Sequence, residues 1–590
     1  LGLDVDNNST ITALSVGHIT PVSIAAGSSL SGGITVTAGS LKLNETGTLA
    51  STIAMSGGVL DADNSSTVSG ALSHTADITI DVANNKTLTY TGAPISLGAN
   101  TLTLSGGGSL VSGGVTLNNA NSKLLLNSIT LDNATTSADS LGLDVDNNST
   151  VTSLSVGYIT PVSIASGKTL TGAITVTAGS LKLTEAGTLA STIAMSGGVL
   201  DADESSTVSG ALSHSADITI DVADNKTLTY SGTAISLGAN TLTLSGGGSF
   251  VSGGLTLNNA DSKLLLNSIT LDNATTSANS LGIDVDNNST VTSLSVGYIT
   301  PVSIASGKSL SGAITVTAGS LKLTEAGTLA STIAMSGGTI DADESLAVSG
   351  ALTQSGDIVI DVADNKTLTY SGTAISLGAN TLTLIGGGTL SNTNALVLND
   401  ANSLLSLAGI LEIGDVDGTA ASNSGKGIQV TSSATLGDYD LSAESYLSIA
   451  ANQTLAGQLN LQTNGELKTS GDGQYIGDIA LAGGKFSATD NQVLGGTLSI
   501  TADSELTVSD NYTLTLSQSG GLALGANTLT LSGGGSLVSG GVTLDNASSK
   551  LVLNSITVDN VSTSADSLGL DVDADSTVTS LSVANITPVS

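Results

Sequence analysis

The chain has no cysteine and no tryptophan, and because all 14 of its basic residues are Lys it has no arginine. Each absence removes a class of function. Without Cys there are no disulfides, thiolate zinc sites, iron–sulfur clusters or thiol nucleophiles. Without Arg, and with 49 Asp and Glu giving a net charge of −35, the chain repels phosphates and lacks a bidentate base reader. Nucleic acid is thereby excluded as the main partner. Aromatic residues make up 2% of the chain, so stacking platforms for sugars or bases are scarce. Four of the five Pro lie in one recurring Ile-Thr-Pro-Val-Ser context, which leaves no Pro-rich linkers of the kind an array of β-sandwich domains would favour. No run of 18 apolar residues occurs, so no helix of this sequence would cross a membrane. The first residue is Leu1, followed by neither a basic nor an apolar leader stretch, and any signal peptide is expected to lie outside this sequence.

What is present is repetition. LGLDVDNNST at 1–10 returns at 141–150, as LGIDVDNNST at 281–290, and as LGLDVDADST at 568–577. The expected organisation is a unit at 1–140, a second at 141–280 and the first part of a third at 281–384. A divergent segment follows at 385–523, the unit resumes at 524–567, and a further one starts at 568–590. Because 568–590 repeats 1–23, the chain is expected to belong to something longer, either one giant chain or head-to-tail subunits.

A shorter repeat lies inside the long one. In the second unit a Thr or Ser followed by an apolar residue recurs from Thr150-Val151 through Thr169-Leu170, Thr188-Leu189, Thr207-Val208 and Thr227-Leu228 to Ser249-Phe250 and Thr270-Leu271. Seven such steps fill 140 residues, about 20 each. Before each anchor the residues alternate with period two, as in Leu143/Val145, Val162/Ile164, Leu181/Leu183, Leu200/Ala202, Ile220/Val222 and Leu242/Leu244, with a polar residue between each pair. Period two signals strands. Glycine runs such as Gly246-Gly247-Gly248 punctuate them. Short strands at a fixed period imply an all-β parallel β-solenoid, with seven coils of about three strands in each 140-residue unit. At ~4.8 Å between paired strands, some 29 coils would make a rod about 140 Å long.

Catalytic motifs do not survive inspection. Ser166-Gly167-Lys168-Thr169 has Val162 where a phosphate-binding loop needs its first Gly, and strands follow it, so it reads as a turn. His74 and His214 are equivalent across units, but the third unit has Gln354, which rules out an acid–base role. Register sets His214 opposite Met195, as a corner or core residue. A Thr ladder for ice is broken, since the coils after Thr175/Thr177 offer Ala194/Ser196 and Ser213/Ser215. Tyr90, Tyr230 and Tyr370, with Tyr158 and Tyr298, are expected to pack. No enzymatic activity is expected.

The acids are the most informative polar feature. Glu185, Glu204 and Asp224 precede successive anchors, Asp201 and Asp221 form a neighbouring pair, and Asp144 and Asp146 share the outward side of one strand. Stacked carboxylates repel, and Ca²⁺ would relieve them. The alternative is a solvated acidic corner that keeps a long β structure soluble, with Lys182 beside Asp201 and Lys226 beside Asp224 balancing some charge.

Coils such as Asn240 to Ser249 (NTLTLSGGGS) and Gly187 to Ser191 (GTLAS) resemble those of giant bacterial surface proteins: autotransporter passengers and filamentous-haemagglutinin-like adhesins. The resemblance covers nearly the whole chain, least clearly 385–523. It implies a secreted bacterial shaft or fibre at the cell surface, with no catalytic residues to carry over and further copies of the repeat, a host or neighbouring cell surface, or a glycan as partners. A calcium- or glycan-binding adhesive module is the alternative, with its ligand surface placed in 385–523. A polysaccharide-active β-helix enzyme is the remote one.

Overall fold

The computed structural model describes residues 2–590, and among them there is no helix. The contacts divide the chain into two units, Leu1–Thr292 and Ser293–Ser590. Each is a parallel β-solenoid. Among the described residues, strands that form one face occur 29 times, one per coil. The other face takes two short strands per coil, or one longer strand where the two fuse.

The coil starting at Ser180 shows the plan. Its strands are Ser180–Leu183 on the first face, then Thr188–Leu189 and Thr192–Met195 on the second. The next coil repeats them as Val199–Ala202, Ser206–Val208 and Leu212–His214. The pairings are parallel and in register, with Leu181 on Leu200, Leu189 on Val208 and Ile193 on Leu212. The alternating apolar residues all point inward: Leu143, Val145, Val162, Ile164, Leu181, Leu183, Leu200, Ala202, Ile220, Val222, Leu242 and Leu244 are each at most 3% exposed. A single coil could not bury these side chains; its neighbours above and below complete the core. The turns between strands need left-handed backbone. Gly246 has φ 104°, and a Cβ there would meet the Val222 carbonyl oxygen at 2.3 Å.

The columns are not straight, and here the structure departs from the expected stacking of anchor on anchor. Val162 was expected over Leu181; instead Thr160 pairs with Leu181 and Val162 with Leu183. Likewise Leu228 pairs with Ser206 and Tyr230 with Val208, Leu170 lies on Ser149, and Ile218 pairs with Leu242. Each is a slide of two residues. Because side chains alternate with period two, such a slide keeps inward residues inward, whereas a slide of one would turn the strand inside out. The slides bring small hydroxyl residues into the core. Thr160, Ser149 and Ser206 are 0%, 5% and 5% exposed, and each donates to a main-chain carbonyl: Thr160 to Tyr158, Ser149 to Asn147, and Ser206 to both Glu185 and Glu204.

In the Ser293–Ser590 unit the same plan runs through the divergent segment. Ile428 pairs with Leu447, Leu467 with Phe486, and Phe486 with Leu506. A slide between 444 and 470 puts Ser445 beneath Leu467 and Thr469 over Leu447, so both are buried. The Tyr439 hydroxyl lies 2.8 Å from Ser445 Oγ, and burial pushes the phenol well above its usual range.

The tyrosines divide. Tyr90, Tyr230 and Tyr370 pack as expected, 4%, 3% and 2% exposed, and their hydroxyls accept from the Leu72, Leu212 and Leu352 amides at 3.0 Å. Tyr158 and Tyr298 do not pack. Each is 46% exposed, because it stands at a turn where the alternation of the preceding strand has ended. His214 pairs with Met195, and its Nδ1 lies 3.2 Å from the Ala216 carbonyl. Lys168 closes a turn onto the Ala165 carbonyl at 2.9 Å, as expected of that motif.

Candidate ligand-binding face

The outward side chains of the first face differ between the repeats and the divergent coils. In the repeats they form lysine–aspartate groups. Lys182 Nζ lies 3.0 Å from Asp201 and 2.8 Å from Asp203, and Asp201 is the register partner of Asp221. Burial pushes the Asp201 carboxyl above its ordinary value against the Lys182 contact, and Asp203 and Asp221 add to the rise. Asp221 accepts a hydrogen bond from Ser245. The same group recurs as Lys42 with Asp61 and Asp63, and as Lys322 with Asp341 and Asp343.

The other candidate carboxylates scatter. Asp144 pairs with Lys123 at 2.6 Å, whereas Asp146 is exposed to solvent. Lys226 reaches Glu204 at 2.6 Å, not Asp224 as its place in the sequence suggested. The extra residue in that coil and the slide at Ser206 carry the lysine over the preceding corner. Asp224 instead lies hard against Gly247, where an added Cβ would come within 1.8 Å of its Oδ1. Glu185 and Glu204 share a corner only through their carbonyls, which both accept from Ser206 Oγ. Thus Asp201 and Asp221 are brought together as expected, while Glu185, Glu204 and Asp224 do not form a common carboxylate cluster. Among the described residues, no group of three or more His, Asp or Glu is arranged to hold a metal ion.

A different face is built by five successive strands, four in the divergent segment, Glu444–Ile449, Glu466–Ser470, Lys485–Ala488 and Ser504–Val508, and the first of the resumed unit, Thr528–Ser532. Register aligns Glu444, Glu466, Lys485, Glu505 and Thr530 in one outward column. The adjoining column is Tyr446, Lys468, Ser487, Thr507 and Ser532. Neighbours in these columns bind one another. Lys468 Nζ lies 2.6 Å from Glu444 Oε1 and 5.5 Å from the centre of the Tyr446 ring. Lys485 Nζ stands between two carboxylates, 3.8 Å from Glu466 and 3.2 Å from Glu505.

The carboxylates are fixed from their other sides. Ser487 Oγ donates to Glu466 at 2.7 Å, and Glu505 Oε1 accepts from Ser532 at 2.9 Å and Thr507 at 3.1 Å. Burial opposes ionisation of Glu505, but Ser532, Lys485 and Thr507 together outweigh it and hold the carboxyl below its ordinary value. The Lys468 contact does the same for Glu444.

Beside the first column runs a groove of about 540 Å³, bounded by Glu466, Lys485, Asp503, Glu505, Thr528 and Thr530. Gly483 and Gly484 also line it; a Cβ on Gly484 would strike the Gln462 and Leu461 carbonyls at 2.7 Å, so the main chains of neighbouring coils approach closely there. A second cavity of about 270 Å³ opens on the same face against Tyr446, Ser448, Ser470 and Gln429. The divergence of 385–523 marked this region as distinct, but the individual groups were not singled out in the sequence. No spacing set them apart: Lys468 and Lys485 lie further apart in the sequence than Lys168 and Lys182 of the repeats.

The fold defines a parallel β-solenoid repeat protein. Compared with known proteins, the chain matches no family model, no curated protein and no solved structure.

Proposed function

We propose that the chain is a structural shaft, a segment of an extracellular bacterial surface protein or filament that holds other parts away from the cell. The observation that carries this reading is the repetition of one stacked coil plan through near-identical 140-residue units. A spacer is lengthened by every added copy, because each coil completes the core of the next, whereas an active site gains little from copies. The acidic outer surface fits the same role: charge on outward positions discourages lateral pairing of exposed strands. The absence of Cys suits an oxidising exterior, where a free thiol would be at risk.

Immunogold electron microscopy of the source cells, with an antibody raised against residues 141–280, tests the proposal. Label standing outside the envelope, on extended projections or shed fibres, is the expected result. Label confined to the cytosol would overturn it.

A further inference from the structure

We infer that the groove beside Glu466, Lys485 and Glu505 binds a neutral oligosaccharide. The inference goes beyond the shaft reading and does not depend on where the chain resides. Four observations carry it. First, the groove is polar and its walls are held in place. Glu466 is fixed by Ser487, and Glu505 by Ser532, Thr507 and Lys485, so little side-chain freedom remains to be lost on binding.

Second, the column alternates acceptor, donor, acceptor: carboxylate, ammonium, carboxylate, in the order Glu466, Lys485, Glu505. A sugar hydroxyl both donates and accepts, so neighbouring hydroxyls on a ring match such an alternation, and charged partners make the stronger hydrogen bonds. Third, successive coils are spaced about 4.8 Å apart, close to the length of one pyranose unit in an extended chain. The column therefore offers one sugar per coil. Fourth, three carboxylates, Glu466, Asp503 and Glu505, face the groove against the single ammonium of Lys485, which disfavours phosphate, sulfate and uronate polymers.

A cleaving enzyme fits these groups less well. Hydrolysis of a glycosidic bond needs one carboxylic acid that stays protonated, with its pKa raised. Glu505 is shifted the other way. The repeat coils supply an internal control: the groove at Ser128, Thr150 and Thr171, about 370 Å³, is lined with hydroxyls and carries no charged side chain.

The test uses the full chain and isothermal titration calorimetry with linear hexaoses of glucose, mannose and N-acetylglucosamine, each at millimolar concentration, beside oligogalacturonate as the anionic comparison. At least one neutral hexaose is expected to bind, and oligogalacturonate is not. E505Q and K485M should each weaken that binding roughly tenfold or more, the loss expected for one charge-assisted hydrogen bond. K182M, on the repeat coils, should leave it unchanged. Both altered side chains of the groove point outward, and far-UV circular dichroism will establish that the variants keep their strands. Should E505Q prove unfolded, T530V reads the same groove and should also weaken binding. No binding by any neutral hexaose, equal binding by K485M and the unaltered chain, preference for oligogalacturonate, or release of new reducing ends would each overturn the inference.

Discussion

Leu242 and Leu244 in the repeats, and Leu467 and Phe486 in the divergent coils, occupy the same kind of inward column and are at most 1% exposed. The side chains one position away have little in common. In the repeats they are Thr243 and Ser245, or the lysine–aspartate group around Lys182. In the divergent coils they are Glu444, Tyr446, Lys468, Lys485 and Glu505, linked to one another and bordering a groove. Period-two alternation makes this separation possible. A strand's inward residues answer to the coils above and below, while its outward residues answer only to solvent and to each other. A solenoid can therefore change its exterior without changing its architecture.

The comparison can be broken at its strongest point first. If the interiors are equivalent, Leu244→Ala and Leu467→Ala should cost similar amounts, each about 2–5 kcal/mol, read by urea unfolding and by hydrogen exchange of the flanking coils. A cost below 1 kcal/mol at Leu467 alone would mean that the divergent core is loosely packed and that its face is not rigidly held.

The polar interior of the divergent coils gives the next largest effect. Tyr439→Phe removes the hydroxyl that meets Ser445 and leaves the buried serine without that partner. A loss of about 1–2 kcal/mol is expected in thermal unfolding. Tyr439→Phe combined with Ser445→Ala should recover part of it.

Acid should act on the repeat and divergent coils with opposite sign. The carboxyl of Glu505 is held below its ordinary value, so it contributes stability above the unfolded-state value and loses it as pH falls through the folded one. Asp201 is shifted upward by burial, so its charge weakens the fold near neutrality, and protonation as pH falls through its raised value relieves the strain. Hydrogen exchange through the carboxylate range should show the coils around Glu505 opening more readily, while those around Asp201 hold or tighten. Asp201→Asn should be neutral or slightly stabilising at pH 7, within about 1 kcal/mol, because Lys182 retains Asp203. The smallest effect is expected from Lys226→Ala. It removes a surface ion pair with Glu204, worth at most about 1 kcal/mol, and that should disappear in high salt.

The fold was legible because its rule is local and repeated. Alternation identified the inward residues, and every apolar pair named in the second unit proved buried. The stacking of one coil on the next was less legible. Sequence spacing set Thr207 over Thr227, while the structure pairs Thr207 with Thr229. Nothing in the alternation distinguishes these registers, since both keep the same faces, and turn geometry decides between them. The same slide explains why Lys226 met Glu204 instead of Asp224. The candidate face was legible only as a region. Glu466, Lys485 and Glu505 lie on three different coils, 19 and 20 residues apart, and only register brings them into one column.

Those slides impose a rule of parity on how such a chain can change. An insertion of two residues within a strand moves its decoration along the face and leaves the lining of the core intact. An insertion of one exchanges lining and decoration beyond it unless a bulge absorbs the extra residue, as between Val151 and Ser153, on either side of which Val151 and Leu154 both stay buried. An even change in length therefore keeps the core lining while presenting a new combination of outward side chains to its neighbours. Ser149, Thr160, Ser206 and Ser445 stand where neighbouring coils are slid by two residues, small enough to fit the interior and polar enough to be satisfied there.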